Sequence, residues 1–146
     1  MRLKECLIIT TALVSLAITG QSVRAAEPAV NPAGTWKVTL STTNTTARPG
    51  ERTLKLKLDG TTLTGTLSSS SSVNGKSRVY EWPIKDARLP GNEISFTVTH
   101  PFQVGRGVET SRYQGKIEGE AMKGTVKIEF SGHAFVRDWQ AERVKE

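Results

Sequence analysis

"GTWKVTL" (34–40) and "VRDWQAER" (136–143) decide the fold. In the first stretch Trp36, Val38 and Leu40 fall on one side of an extended chain, and Lys37 and Thr39 on the other. In the second, Trp139, Ala141 and Arg143 alternate with Gln140 and Glu142. A period of two is what a strand with one buried face writes into its sequence, because successive side chains point to opposite faces. The same period recurs in "RTLKLKLDG" (52–60), "TLTGTL" (62–67), "VYEWPI" (79–84), "EISFTVTH" (93–100), "SRYQGKI" (111–117) and "AMKGTVKIEF" (121–130). Eight strands follow, with no segment patterned as a helix.

The second face of these strands is Lys, Thr, Ser, Glu and Gln almost throughout. A transmembrane barrel needs an apolar outer face, so this pattern excludes one. It fits an antiparallel sheet wet on one side, which must hide the other by closing on itself or by folding into a sandwich. An internal echo favours closure. "LDGTTLTGTL" (58–67) resembles "IEGEAMKGTV" (117–126), a shift of 59 positions that also lays Tyr80 on Trp139. Two four-strand halves suit an eight-stranded antiparallel up-and-down β-barrel, wide enough inside for side chains or one small ligand.

The turns sort by end. Asp59-Gly60, Pro90-Gly91-Asn92 and Glu118-Gly119-Glu120 are tight connections at one end. The connections at the other end, 42–50, 68–77, 100–108 and 131–135, read as generally longer and form the natural mouth. The first strand starts, and the last strand ends, at the tight-turn end, so Gly34, Trp36 and Arg143 meet on the barrel floor.

Residues 1–25 lie outside this domain. Arg2 and Lys4 precede an apolar run from Cys6 to Gly20, and Val23 and Ala25 are spaced as a cleavage site prefers. This is a signal-peptide pattern with cleavage expected after Ala25 and Ala26 as runner-up, an uncleaved anchor being the alternative. Residues 26–33 form an extended lead-in and 34–146 the barrel. The expected location is secreted or periplasmic, with no membrane span after cleavage. Cys6, the one cysteine, sits inside the signal and away from its end, so the mature chain carries neither a disulfide nor a cysteine-based metal site. Removing three basic residues (Arg2, Lys4, Arg24) and one acidic residue (Glu5) reduces the formal charge from +6 to +4. The charges are dispersed, with no basic stripe interleaved with aromatics, so nucleic acid is not an expected partner.

Gly34-Thr35-Trp36 paired with a terminal Arg143 resembles the calycin superfamily of lipocalin, fatty-acid-binding and avidin-like barrels. There a Gly-x-Trp opens the first strand and an Arg near the end of the last strand packs on the indole. The resemblance implies that Gly34 lets the chain bend closely over the base, that Trp36 seals it, and that Arg143 lids the ring by a cation–π contact. The absence of disulfides and of a long helix before the last strand departs from typical lipocalins. The missing helical lid departs from fatty-acid-binding proteins. The mature chain is also similar to a set of small exported bacterial proteins. They share Gly-Thr-Trp, then Leu63-x-Gly65-Thr66, Ile94-Ser95-Phe96, Tyr113-x-Gly115-x-x-x-Gly119 and Asp138-Trp139-x-Ala141-x-Arg143. That likeness implies a fold and no particular function.

Trp36, Trp82 and Trp139 share the inward face with Tyr80, Phe96, Tyr113 and Phe130. Such rings either line a cavity for a flat, apolar or sugar-like ligand or simply fill the barrel. Filling is the expectation for Trp36 and Trp139, while Tyr80 and Trp82, nearer the loops, are the better ligand candidates. With Phe96, His100, Phe102, Tyr113 and His133 they make up the candidate binding set. His100 and His133 both fall at the mouth, with Glu109 the nearest carboxylate by position. Two histidines are too few for a zinc site, so solvated rim residues are expected and no metal or cofactor is. Ser68–Ser72 with Val73-Asn74-Gly75 reads as a polar loop or as a long exposed hairpin. "NGKS" and "VGRGVE" lack phosphate-loop and dinucleotide spacing. Asn44-Thr45-Thr46 is a sequon by pattern alone. Asp138 and Glu142 point outward, away from Trp139, and no catalytic constellation assembles. The expected function is to hold a small apolar or amphipathic molecule at the mouth. The alternative is a filled barrel acting as a structural or protein-interaction module of the cell envelope.

Overall fold

A computed structural model describes residues 30–41, 51–101 and 107–145. The signal segment 1–25, most of the lead-in, the 42–50 connection with its sequon, and Phe102 lie outside the described residues. Eight strands run in order: β1 (Gly34–Leu40), β2 (Arg52–Asp59), β3 (Thr62–Val73), β4 (Lys76–Arg88), β5 (Glu93–Pro101), β6 (Val108–Glu118), β7 (Ala121–Phe130) and β8 (His133–Arg143). Each pairs antiparallel with its neighbours in sequence, and β8 returns to β1, so the sheet is a closed up-and-down barrel without a sandwich edge.

Closure occurs where the two quoted stretches meet. Trp36 stands opposite Arg143, Val38 opposite Ala141 and Leu40 opposite Trp139. The Arg143 guanidinium lies over the Trp36 ring, 4.2 Å from its centroid. Its Nη2 donates to Asn31 O at 2.8 Å and its Nη1 to Ala33 O. Arg143 Nε sits 2.7 Å from Glu120 Oε2, close enough for an ion pair though not aligned for a hydrogen bond. Trp36, fully buried, donates Nε1–H to Pro32 O at 2.9 Å. Gly34 has φ +133°, and a Cβ there would come within 2.7 Å of Arg143 Nη1. Only glycine meets both conditions.

The interior is packed. Phe96 stacks on Tyr113 at 4.7 Å, and Trp139 meets both edge-on at 6.2 and 5.5 Å. Leu54, Leu56, Leu63, Leu67, Ile94, Val98, Ile117, Met122, Val126 and Ile128 complete the core. The Trp139 indole fits because the two positions beside it in the ladder are Gly124 and Gly115. A Cβ on Gly115 would lie 2.9 Å from Trp139 Cζ2, and one on Gly124 would collide with the Gln114 carbonyl. The indole Nε1–H lies 3.1 Å from both Gln114 O and Thr125 O. The 59-residue echo has a structural counterpart. Gly65 faces the Lys55 carbonyl as Gly124 faces that of Gln114, one close strand approach in each half.

Two connections that read as long by sequence are tight. The serine run 68–72 is strand, so of its two readings the long exposed hairpin is the one that forms and the polar loop is not. β3 and β4 stay paired up to Val73 opposite Lys76, around Asn74 (φ 53°) and Gly75 (φ 73°). Two successive positive φ values make the type I′ turn whose twist matches a hairpin, so the ladder runs to its tip. The 131–135 connection is likewise tight. Ser131 (φ 47°) and Gly132 (φ 78°) form the turn, and β8 begins at His133. β4 is longer than expected because a bulge at Asp86 (φ 51°) shifts the register between Lys85 and Arg88 and turns Ala87 inward.

Replacing Arg143 by Ala removes a cation–π contact and charge-assisted hydrogen bonds, so unfolding stability measured by urea denaturation falls by about 2–3 kcal/mol. Lys at this position restores only part of that loss, since an ammonium cannot cover the ring and reach both carbonyls together. Gly124→Ala costs about 3 kcal/mol or more in the same assay, because the obstructing atom is backbone and cannot swing aside.

Candidate ligand site at the barrel mouth

Above the packed layer the inward positions turn polar. His100 on β5, Glu109 on β6, Phe130 on β7 and His133 on β8 stand in one row across the rim. His100 Nε2 lies 3.1 Å from Glu109 Oε1, and Nδ1 lies 3.2 Å from Pro101 O. A carbonyl and a carboxylate can only accept, so the two contacts are satisfied together only when both ring nitrogens carry a proton, the imidazolium form. Ser111 Oγ donates to the same Glu109 oxygen at 3.4 Å. Glu109 is 8% exposed and Ser111 1%. Across the lumen, Arg52 Nη1 on β2 donates to the Tyr113 hydroxyl of β6 at 2.9 Å, joining opposite walls.

The protonation states follow from these contacts. The hydrogen bond to Glu109 raises the His100 pKa above its ordinary 6.5, against burial and the Arg52 charge, which lower it. The hydrogen bond to His100 lowers the Glu109 pKa below its ordinary 4.5, against burial, with Arg52 and Ser111 adding to the lowering. Burial raises the Tyr113 pKa, so its phenol stays neutral and serves as an acceptor for Arg52.

Trp82 covers the imidazole of His100 at 4.6 Å and 30°. An indole face beside a charged imidazole gains from its quadrupole. Tyr80 lies parallel to Trp82, 6.1 Å away and tilted by 5°, with 44% of its surface exposed. The two rings form a flat step that rises from the barrel along β4.

Of the sequence-predicted set, Phe96 and Tyr113 belong to the packing, although the Tyr113 hydroxyl reaches the mouth. Trp82, Tyr80 and His100 come together on one wall. His133 does not join them. It is exposed, lies 6.0 Å from the Phe130 ring and stands three strands from His100. His100 is therefore not the solvated rim residue the sequence suggests, because Glu109 and Trp82 enclose it. Among the described residues no group of three or more His, Cys, Asp or Glu side chains could hold a metal ion. Ser111 donates to the Glu109 carboxylate, which ties its hydroxyl to the same network as His100. Arg52, Ser111 and Arg137 escape a reading that counts only apolar residues. Their signal is parity, each standing two positions from Leu54, Tyr113 or Trp139 on the inward face.

No family model, no curated protein and no solved structure matches the chain. The closed eight-stranded up-and-down barrel is compatible with the calycin fold.

The His100–Glu109 pair stabilises the fold only while both are charged. The raised His100 pKa makes its contribution complete below pH 6.5 and lost as pH rises through the folded value. The lowered Glu109 pKa makes its contribution complete above pH 4.5 and lost as pH falls through the folded value. The stability difference between wild type and Glu109→Gln is therefore largest between pH 4.5 and 6.5 and shrinks on either side, as urea titrations at a series of pH values would read it.

Proposed function

We propose that this chain is an exported binding barrel that holds one small amphipathic molecule at its mouth, above an interior already filled by its own side chains. The supporting observation is the parallel Tyr80–Trp82 ring step, Tyr80 exposed and Trp82 half-buried, beside the inward charges of Arg52 and His100. A ring face offers apolar contact with defined geometry, and the neighbouring polar groups fix orientation, which is the composition of small-molecule sites. Export rests on the pattern of residues 1–25, and the mouth as the binding end on the calycin resemblance.

The packing of Trp36, Phe96, Tyr113 and Trp139 supports a second reading. In it the barrel is a structural or protein-interaction module of the cell envelope and its loops carry the function.

Native mass spectrometry of the chain purified from its own host separates the two. Under the first reading a small molecule co-purifies and is lost on mild denaturation. Trp82→Ala then weakens its rebinding about tenfold, equivalent to roughly 1.4 kcal/mol. A bare mass, with no thermal shift across lipid and sugar panels, favours the second.

A further inference from the structure

The β3–β4 hairpin climbs past the barrel. β2 leaves β3 at Arg52 opposite Ser69, and β5 pairs β4 only from Ile84 toward Arg88. Yet β3 and β4 remain paired to Val73 opposite Lys76. Residues 70–81 thus form a two-stranded wing standing over the rim. Side chains alternate along it, and the inward parity of Trp82 continues through Tyr80, Arg78 and Lys76, with Ser69 and Ser71 across the ladder. The wing's one carboxylate, Glu81, has the opposite parity. On the lumen side, therefore, two rings are followed by two cations. Ser71, Asn74, Lys76, Arg78 and Tyr80 line a recess of about 350 Å³ there.

The charge at this end is unbalanced. Arg52 and Arg137 occupy inward register positions near the rim, and Arg137 rests on the Phe135 ring at 5.0 Å. The inward carboxylate, Glu109, is occupied by His100 and Ser111. Among the described residues neither Lys76 nor Arg78 has an ion pair. A recess with unpaired cations beside a flat ring attracts negative charge, and a guanidinium binds carboxylate, sulfate or phosphate through two parallel hydrogen bonds.

We propose that the mouth ligand is a small anion with one flat apolar ring, its ring seated on Tyr80 and Trp82 and its carboxylate, sulfate or phosphate held by Arg78 and Lys76. This rests on the mouth-binding reading above and adds the chemical class. The strand sets the spacing. Tyr80 and Arg78 are two residues apart, so the anionic group lies roughly 7 Å along β4 from the ring site.

Naphthalene-2-sulfonate and its neutral sulfonamide carry the same rings with and without the charge. Quenching of the fluorescence of Trp82, more accessible than Trp36 and Trp139, reports their binding to the full mature chain. The expected result is that the sulfonate binds about tenfold tighter than the sulfonamide at low salt, and that added salt erodes this preference. A Lys76→Gln/Arg78→Gln double variant abolishes the preference and leaves sulfonamide affinity unchanged. Both positions are exposed, and an unchanged thermal melt confirms that the variant folds. Equal binding of the two probes overturns the anionic class while leaving the mouth site standing. A preference that survives the double variant overturns the wing as the anion's seat. Failure of both probes to bind removes the mouth reading itself, and the proposal with it.

Discussion

The contact between Arg143 and Trp36 is what the rest of the barrel depends on. An open eight-stranded sheet would present two unpaired edges, β1 and β8, each a template for association with other chains. Pairing the edges with each other removes that hazard, and the guanidinium fixes the register of the join. It covers the indole, donates to the Asn31 and Ala33 carbonyls of the incoming chain, and meets Glu120 on the neighbouring turn. One side chain thereby ties the lead-in, the first strand, the last strand and the β6–β7 turn. Gly34 is required because this knot leaves neither a standard backbone angle nor room for a Cβ.

Closure creates a volume that must be filled, and the two halves fill it by related means. At Gly65 and Gly124 the preceding strand comes so close that its carbonyl occupies the place of a side chain. In the second half the space over Gly115 and Gly124 takes the Trp139 indole, whose N–H finds backbone carbonyls. Aromatic stacking of Phe96 and Tyr113 against Trp139 then closes the middle of the barrel. The consequence for function is direct. The ligand proposed above would therefore sit higher, at the level where β4 outgrows its neighbours and the inward side chains become polar.

At that level each charged group is disposed differently. Glu109 is nearly buried and would be costly alone, but His100 and Ser111 satisfy it. Arg52 is anchored on a phenol across the lumen. Arg78 and Lys76 stand free of ion pairs among the described residues, on the same face as two parallel rings. The first two arrangements explain how charge survives inside a barrel. The third puts two cations and two rings on one face, the arrangement that the proposed anionic ligand would use.

Much of this was legible in the chain. Period-two alternation, eight turn-bounded segments and a Gly-x-Trp balanced by a terminal Arg specify strands, a wet outer face and the meeting of the ends, because strand geometry ties side-chain direction to residue parity. Parity also placed Trp82, Tyr80 and His100 on the lumen side. What it could not supply was relative height across the sheet. Whether Ser68–Ser77 was loop or ladder depended on an Asn-Gly turn being reached by continuous pairing, and that continuity raised Tyr80, Arg78 and Lys76 above the rim. Whether His100 was solvated depended on Glu109 arriving opposite it from β6, and whether Trp139 filled the lumen depended on two glycines from different strands landing side by side. Alternation along one strand is a local property that a single residue reveals to its neighbours. Register between strands is set only when the barrel closes, and the composition of the mouth is a consequence of register.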